Sequence, residues 1–340
     1  MLVSLYMSEI AVVGAGSYGS CLAMLFGRAG HRVRLWCRSA ETAAAMQRTR
    51  SADRYLPGHQ IPDTVAITND LESAVRDSQF VVGVTPSHAI REVLGRASKM
   101  MDPEAIVINA SKGLDEGSLA PIDHVYREIF PARIAGRATF LSGPTFANEI
   151  AAGTPAAIVL AGRDEAALKL AQDALTTLHF RIYRTDDVTG ILVGGALKNV
   201  VAIAAGASDG MGYGSNTRVA LMTRGLAEIT RIGVAMGAHP QTFAGLSGMG
   251  DLVLTCSGDA SRNRRLGLAL GRGKSMPEIM AEMNQVAEGV KTAKVAHELA
   301  TQLKVDAPIM DVMHAALHHG MPMRDAVAAL LARPAGHERD

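Results

Sequence analysis

Aromatic residues are scarce in this chain, at 4% of 340 residues with a single tryptophan, so the sequence offers no platform on which bases or sugars would stack. An excess of one charge is also lacking: Lys and Arg total 34 against 33 Asp and Glu. Nucleic-acid and membrane-surface proteins normally carry a basic surplus, so neither partner is expected, and any anion site must be local. Cysteine is rare. Cys21, Cys37 and Cys256 stand far apart without CxxC or metal-ligand spacing, which excludes a disulfide framework and a zinc site from the expectations and fits a reducing, cytoplasmic setting. The segment Met1 to Ile10 has no basic n-region or long apolar run, so no signal peptide is expected, and Met7 is an alternative start.

What is present is enough apolar material, 48% of residues, for two cores of ordinary domain size. From Ile10 to about Leu160, short β-branched runs alternate with helical stretches, the sequence form of successive βαβ units. Strands are expected at 10–13, 32–36, 65–68, 80–84, 105–109, 139–141 and 156–160, with helices at 18–29, 71–76 and 87–96. Beyond about Thr185, long Ala-, Leu- and Met-rich stretches replace them. The expectation is an α/β fold, a doubly wound, mainly parallel Rossmann-like sheet over residues 1–187, followed by an all-helical domain over 188–340. The run from Gly190 to Ala207 approaches the length of a bilayer span. Lys198 and Asn199 sit at its centre, however, and a charge at that depth is costly, so a buried core helix is the expectation and stable membrane insertion is not.

Gly14-Ala15-Gly16-Ser17-Tyr18-Gly19 matches G-x-G-x-x-G directly after the first strand and at the opening of the first helix. Gly14 permits the tight turn, Gly16 lets the backbone approach a pyrophosphate, and Gly19 lets helix pack on strand. An ordinary glycine turn is the plainer alternative, but the surrounding βαβ series favours dinucleotide binding. The second strand leads into Trp36-Cys37-Arg38-Ser39 with no acid until Glu41, whereas an NAD-selective site usually places an acid there for the ribose. Arg38 is therefore either the partner of a 2′-phosphate, favouring NADP with NAD as a second cofactor, or simply solvated.

Four polar clusters fall where chemistry is expected: Thr85-Pro86-Ser87-His88, Asn109-Ala110-Ser111-Lys112-Gly113, Ser142-Gly143-Pro144-Thr145-Phe146-Ala147, and Lys198-Asn199. Reducing a ketone develops negative charge on oxygen, which calls for a cation or proton donor. Lys198 interrupts an apolar helix and so needs a partner. Two readings stand, a tuned acid–base group or a structural buried ion pair, for instance with Asp251. Asp251, in Leu246-Ser247-Gly248-Met249-Gly250-Asp251-Leu252, either orients that lysine, accepts a substrate hydroxyl, or caps a helix. Ser261-Arg262-Asn263-Arg264-Arg265 opens a helical pattern ending near Gly271, which is either a phosphate site at a helix start or a solvated basic face. His59, His88 and His179 lack paired spacing, and no metal is assigned.

Taken in order along nearly the whole chain, these motifs resemble the bacterial-type NAD(P)-dependent glycerol-3-phosphate dehydrogenases. The resemblance implies interconversion of glycerone phosphate and sn-glycerol 3-phosphate, supplying the latter for phospholipid synthesis. It implies that Lys198 is the proton donor and acceptor, with Lys112 beside the substrate sharing the electrostatic work. Gly143, Thr145, Asp251, Ser261, Arg262 and Asn263 would hold the substrate, the last three near its phosphate. Ser17, Tyr18, Arg38, Lys112, Ala147, Arg262, Val286 and Glu288 would contact the cofactor. A homodimer built through the helical domain is a further implication. Tyr18 stands where many relatives carry Trp, and the residues before Met7 exceed the usual short start. A related dehydrogenase of a β-hydroxyacid or ketoacid and a non-catalytic dinucleotide sensor are the rival functions, the retention of both Lys112 and Lys198 weighing against the sensor.

Overall fold

A computed structural model describes residues 7–283, 287–334 and 337. The chain divides into two compact units, one comprising Met1–Asp115 and Ala120–Leu192, the other Glu116–Leu119 and Val193–Asp340. The division falls inside a single helix, Val188–Gly210, so the change of unit coincides with no break in secondary structure.

In the first unit, strands β1 (Glu9–Val13), β2 (Arg32–Trp36), β5 (Val65–Thr68), β6 (Phe80–Gly83), β7 (Ile106–Asn109), β8 (Thr139–Ser142), β9 (Ala156–Gly162) and β10 (Phe180–Thr185) form one sheet, in the order β10-β9-β8-β7-β6-β1-β2-β5. β3 (Ser51–Ala52) and β4 (Leu56–Gln60) form a separate antiparallel pair. Every pairing in the large sheet is parallel except β8 with β9. A sheet covered on both faces must bury both sets of alternating side chains. β1 does so: Ile10 and Val12 enter one core, Ala11 and Val13 the other. Phe80 and Val82 of β6 likewise oppose Val81, and Ile106 and Ile108 of β7 oppose Val107.

The expected doubly wound sheet is therefore present, with three strands the sequence reading did not include. β10 alternates Phe180 and Ile182 inward with exposed Arg181, Tyr183 and Arg184, as an edge strand does. β4 is Leu-Pro-Gly-His-Gln, a composition that strands normally avoid. The expected helix 87–96 resolves into a 3₁₀ turn, Ser87–Ala89, and an α-helix, Ile90–Ala97.

Among the described residues the regular elements of the second unit are all helices. Its axis is Val188–Gly210, the one described helix long and apolar enough to cross a bilayer, of which 94% of the most apolar window is buried inside the protein. Its glycines explain its composition. A Cβ placed on Gly206 or Gly210 would collide with the backbone of helix Arg262–Gly271, and one on Gly267 or Gly271 would collide in return with the backbone at Ile203 or Ala207. The two backbones thus touch along a seam without intervening side chains, as small residues allow.

Candidate functional sites in the two units

Ligands in a doubly wound sheet gather beyond the C-terminal strand ends, where the strand order reverses. In the first unit that reversal lies at β1, flanked by β2 and β6. Gly14, which follows β1, has φ +125°, and a Cβ there would lie 2.6 Å from the Val84 carbonyl oxygen beyond β6, so the turn admits glycine alone. Gly19 packs against the Gly14 carbonyl, whereas a Cβ on Gly16 would meet nothing within 4 Å. Gly16 is also the N-cap of helix Ser17–Arg28, and no side chain caps that helix. Uncapped first-turn N–H groups beside an open glycine fit a pyrophosphate. Ser17 donates its hydroxyl to the Tyr55 carbonyl, and Tyr18 packs against the first core. Arg38 is exposed just beyond β2, while Ser39 caps helix Ala40–Thr49 by accepting from Thr42 N at 3.2 Å. Ser39 thus serves its own helix.

The turn after β7 is tied down by polar bonds. Ser111 donates its hydroxyl to the Thr85 carbonyl at 2.6 Å, Asn109 donates to the Ser111 carbonyl at 2.9 Å, and the Tyr126 hydroxyl donates to Asn109 Oδ1 at 3.2 Å. Lys112, half-buried at the end of this scaffold, donates from Nζ to the Gly143 carbonyl at 3.2 Å. Gly143 follows β8 with φ +139°, and its carbonyl also accepts from Thr145 Oγ1 at 3.3 Å. Lys112, Gly143 and Thr145 are thereby brought together, with Ala147 opening the next short helix. The hydroxyls of Thr85 and Ser142, at the ends of β6 and β8, are buried and have no hydrogen-bond partner among the described residues. Such groups are costly unless something satisfies them, and they add acceptors and donors at the ligand end of the sheet.

In the second unit Lys198 is 4% exposed. Its Nζ donates to Asp251 Oδ1 and, at 2.7 Å, to Thr255 Oγ1. Thr255 passes its own proton to the Asp251 carbonyl at 2.6 Å. Asp251 is not an N-cap: Gly250 holds that position, and the carboxylate turns inward to the lysine. The ammonium is therefore held by at least one charge and one hydroxyl, an arrangement that fixes its position. Burial pushes the neighbouring Cys256 thiol up to about 12, so it is no nucleophile here.

Next to Lys198 in the helix, Asn199 accepts from Asn263 Nδ2 at 2.9 Å, and Asn263 Oδ1 accepts from Gly289 N at 3.0 Å. Asn263 thus joins the lysine's helix to the start of helix Glu288–Leu303, which Glu288 opens. Ser261 caps helix Arg262–Gly271, accepting from Arg264 N at 3.2 Å, and Arg262 is exposed in its first turn. Val286 lies outside the described residues. Among the described residues no three of His, Cys, Asp and Glu are arranged to hold a metal ion. Thr255 is absent from the sequence reading, although its spacing of four from Asp251 places both on one face of a helix.

Comparison with known proteins gives a consistent answer. Residues 9–168 match the family described as NAD-dependent glycerol-3-phosphate dehydrogenase N-terminus, and residues 187–328 match its C-terminus. The chain is 49% identical over 325 residues to glycerol-3-phosphate dehydrogenase [NAD(P)+] of Geobacter sp. (strain M21), covering 96% of this chain and 97% of that protein. It is 47% identical to the protein of the same name from Geobacter sulfurreducens, covering 98% and 100%. The crystal structure of a glycerol-3-phosphate dehydrogenase from Coxiella burnetii superposes with a TM-score of 0.91 at 36% identity, covering 96% of this chain and 99% of that one. A ketopantoate reductase from Ralstonia eutropha shares 14% identity at a TM-score of 0.59, a likeness of fold alone.

Proposed function

The chain belongs to the NAD-dependent glycerol-3-phosphate dehydrogenase family, and on that premise we propose that it reversibly reduces glycerone phosphate to sn-glycerol 3-phosphate with NAD(P)H. The full-length match across both halves carries this reading. The nicotinamide cofactor supplies the hydride; the remaining work falls to side chains. The fingerprint Gly14, Gly16 and Gly19, with Ser17, Tyr18 and Ala147, serves the dinucleotide on the first unit, the domain we assign to residues 1–187.

Proton movement is assigned to Lys198. As hydride reaches the carbonyl carbon, the ketone oxygen takes a proton from Nζ, and in oxidation the amine takes it back. Asp251 and Thr255 hold the amine in place, which supports this role because proton transfer depends on position before basicity. Lys112, with Gly143 and Thr145, is assigned to the substrate on the first unit. Ser261, Arg262 and Asn263, at a helix start, are assigned to its phosphate, where backbone N–H groups and a guanidinium favour an oxyanion. Glu288 and Val286 are assigned to the cofactor, on the family resemblance.

Exposed Arg38, with no acid until Glu41, supports use of NADP alongside NAD. Near-balanced charge, three unpaired buried cysteines and the burial of helix Val188–Gly210 support a cytoplasmic protein without membrane insertion, and the helical unit, residues 188–340, is proposed to dimerise. The product then enters phospholipid synthesis. The test is the initial rate of NADPH and NADH oxidation with glycerone phosphate, against unphosphorylated dihydroxyacetone. Fast turnover only of the phosphorylated ketone is expected; cofactor binding without any turnover would overturn the proposal.

A further inference from the structure

The glycine seam between helices Val188–Gly210 and Arg262–Gly271 raises a mechanical question. Glycine lets the two backbones touch with few side chains interlocked at the contact, so polar groups beside the seam can add a directional hold on its register. Register matters, because Lys198 lies on one helix and Ser261, Arg262 and Asn263 stand at the start of the other.

The polar groups beside the seam supply an answer. Asp209 is about three turns beyond Lys198 on the same helix. Its Oδ2 accepts from Arg264 Nη2 at 2.7 Å and from Arg264 Nε at 3.1 Å. Both side chains are nearly buried, at 11% and 12% exposed, so water competes little with the pair. Arg218 closes the other side of the carboxylate at 3.1 and 3.2 Å, and Arg264 Nη1 reaches the exposed Asp259 at 2.7 Å. The sequence makes this pairing necessary. Helix Arg262–Gly271 has three arginines and no acid in its first turn, the end at which the helix dipole disfavours cations. Asp209 and Asp259 neutralise Arg264 there.

We propose that Arg264, held by Asp209 through two nitrogens, is the positioning residue that fixes the register of the two helices and so the spacing between Lys198 and the phosphate-holding residues. This rests on the reading of the second unit given above. Arg264 itself touches no substrate; its effect is transmitted through the helix start it anchors.

The test uses Arg264→Lys, which keeps the charge but offers one nitrogen in place of a rigid pair. KM for glycerone phosphate is expected to rise roughly 10- to 100-fold, the scale of a misplacement near 1 Å, while kcat/KM for unphosphorylated dihydroxyacetone stays within about twofold, since that ketone has no phosphate to be misplaced. Asp209→Asn should give the same split, and the double variant should be no worse than Asp209→Asn alone. Arg218→Lys, which loosens Asp209 from the other side, is the control and should leave KM near wild type. Thermal unfolding confirms that each variant is folded. Equal losses for both ketones, an unchanged KM in Arg264→Lys, or an equal KM rise in Arg218→Lys overturns the inference. A wild-type protein that fails to turn over glycerone phosphate would instead overturn the dehydrogenase reading itself.

Discussion

The two units carry their polar residues in opposite ways. In the first, the chemistry-bearing groups stand on turns just past the ends of strands, where the sheet fixes the turn and the side chain stays partly open, as with Lys112 on the scaffold of Ser111 and Asn109. In the second, the lysine and its two partners lie inside helices and are buried, Lys198 standing between Asp251 and Thr255. Turn residues are positioned by backbone geometry and tolerate removal of a side chain. Buried helical residues are positioned by one another, so removing one strands the next.

The sharpest way to break this comparison is to delete each lysine. Lys198→Ala leaves the Asp251 carboxylate buried without its counter-charge, costing about 3–5 kcal/mol, and turnover should fall roughly 10²- to 10⁴-fold. Lys198→Met with Asp251→Asn removes both charges; its melting temperature should recover towards wild type while turnover stays down. If activity returned with stability, Lys198 would be structural only. Lys112→Ala should melt close to wild type, because the lysine is only half-buried on a turn whose shape is set by Ser111 and Asn109, yet lose roughly 10²-fold in kcat/KM. A large drop in stability would place Lys112 with the buried class instead.

Arg38 probes the exposed end of the first unit. Arg38→Ala should raise KM for NADPH about tenfold, the scale of one charge-assisted hydrogen bond to phosphate, and leave KM for NADH unchanged. Parallel shifts for both would assign it to the shared pyrophosphate.

The smallest effect concerns Glu228, buried in the second unit, where both carboxylate oxygens accept from Ile309 N and one also from Met310 N. Burial pushes its carboxyl up to about 7, against the opposing pull of those backbone bonds. A folded state that holds this proton more tightly than the unfolded chain gains stability below the ordinary carboxylate range and loses it as pH rises towards 7. Wild type should therefore melt lower at pH 7.5 than at pH 5 by this increment, and Glu228→Gln should remove that part of the slope. An identical slope in both proteins would show the carboxyl to be ordinary.

How far the sequence could be read follows the same division. The glycine fingerprint and the seven strands first identified rest on local signals, a turn that only glycine allows and short runs of β-branched residues. β10 escaped because arginines on its open face mask the alternation of Phe180 and Ile182. β3 and β4 escaped because Pro57 and Gly58 speak against a strand, and only their pairing in space supports one. In the second unit Lys198 announced itself as a charge within an apolar run, but Thr255 looked like any helical threonine. Its part in the site comes from a contact across 57 positions of sequence. The structural pairing of Lys198 with Asp251 was one of the readings open from sequence, and the geometry shows that pairing to be compatible with a role for the amine.

The glycine seam has a consequence for inheritance as well as for packing. Every residue that a single base change makes from a glycine codon carries a Cβ, so no one-step mutation at Gly206, Gly210, Gly267 or Gly271 avoids a backbone collision. Drift at these four positions would need a compensating shift on the facing helix at the same time. The seam is thus a part of the molecule that neutral change reaches only in pairs.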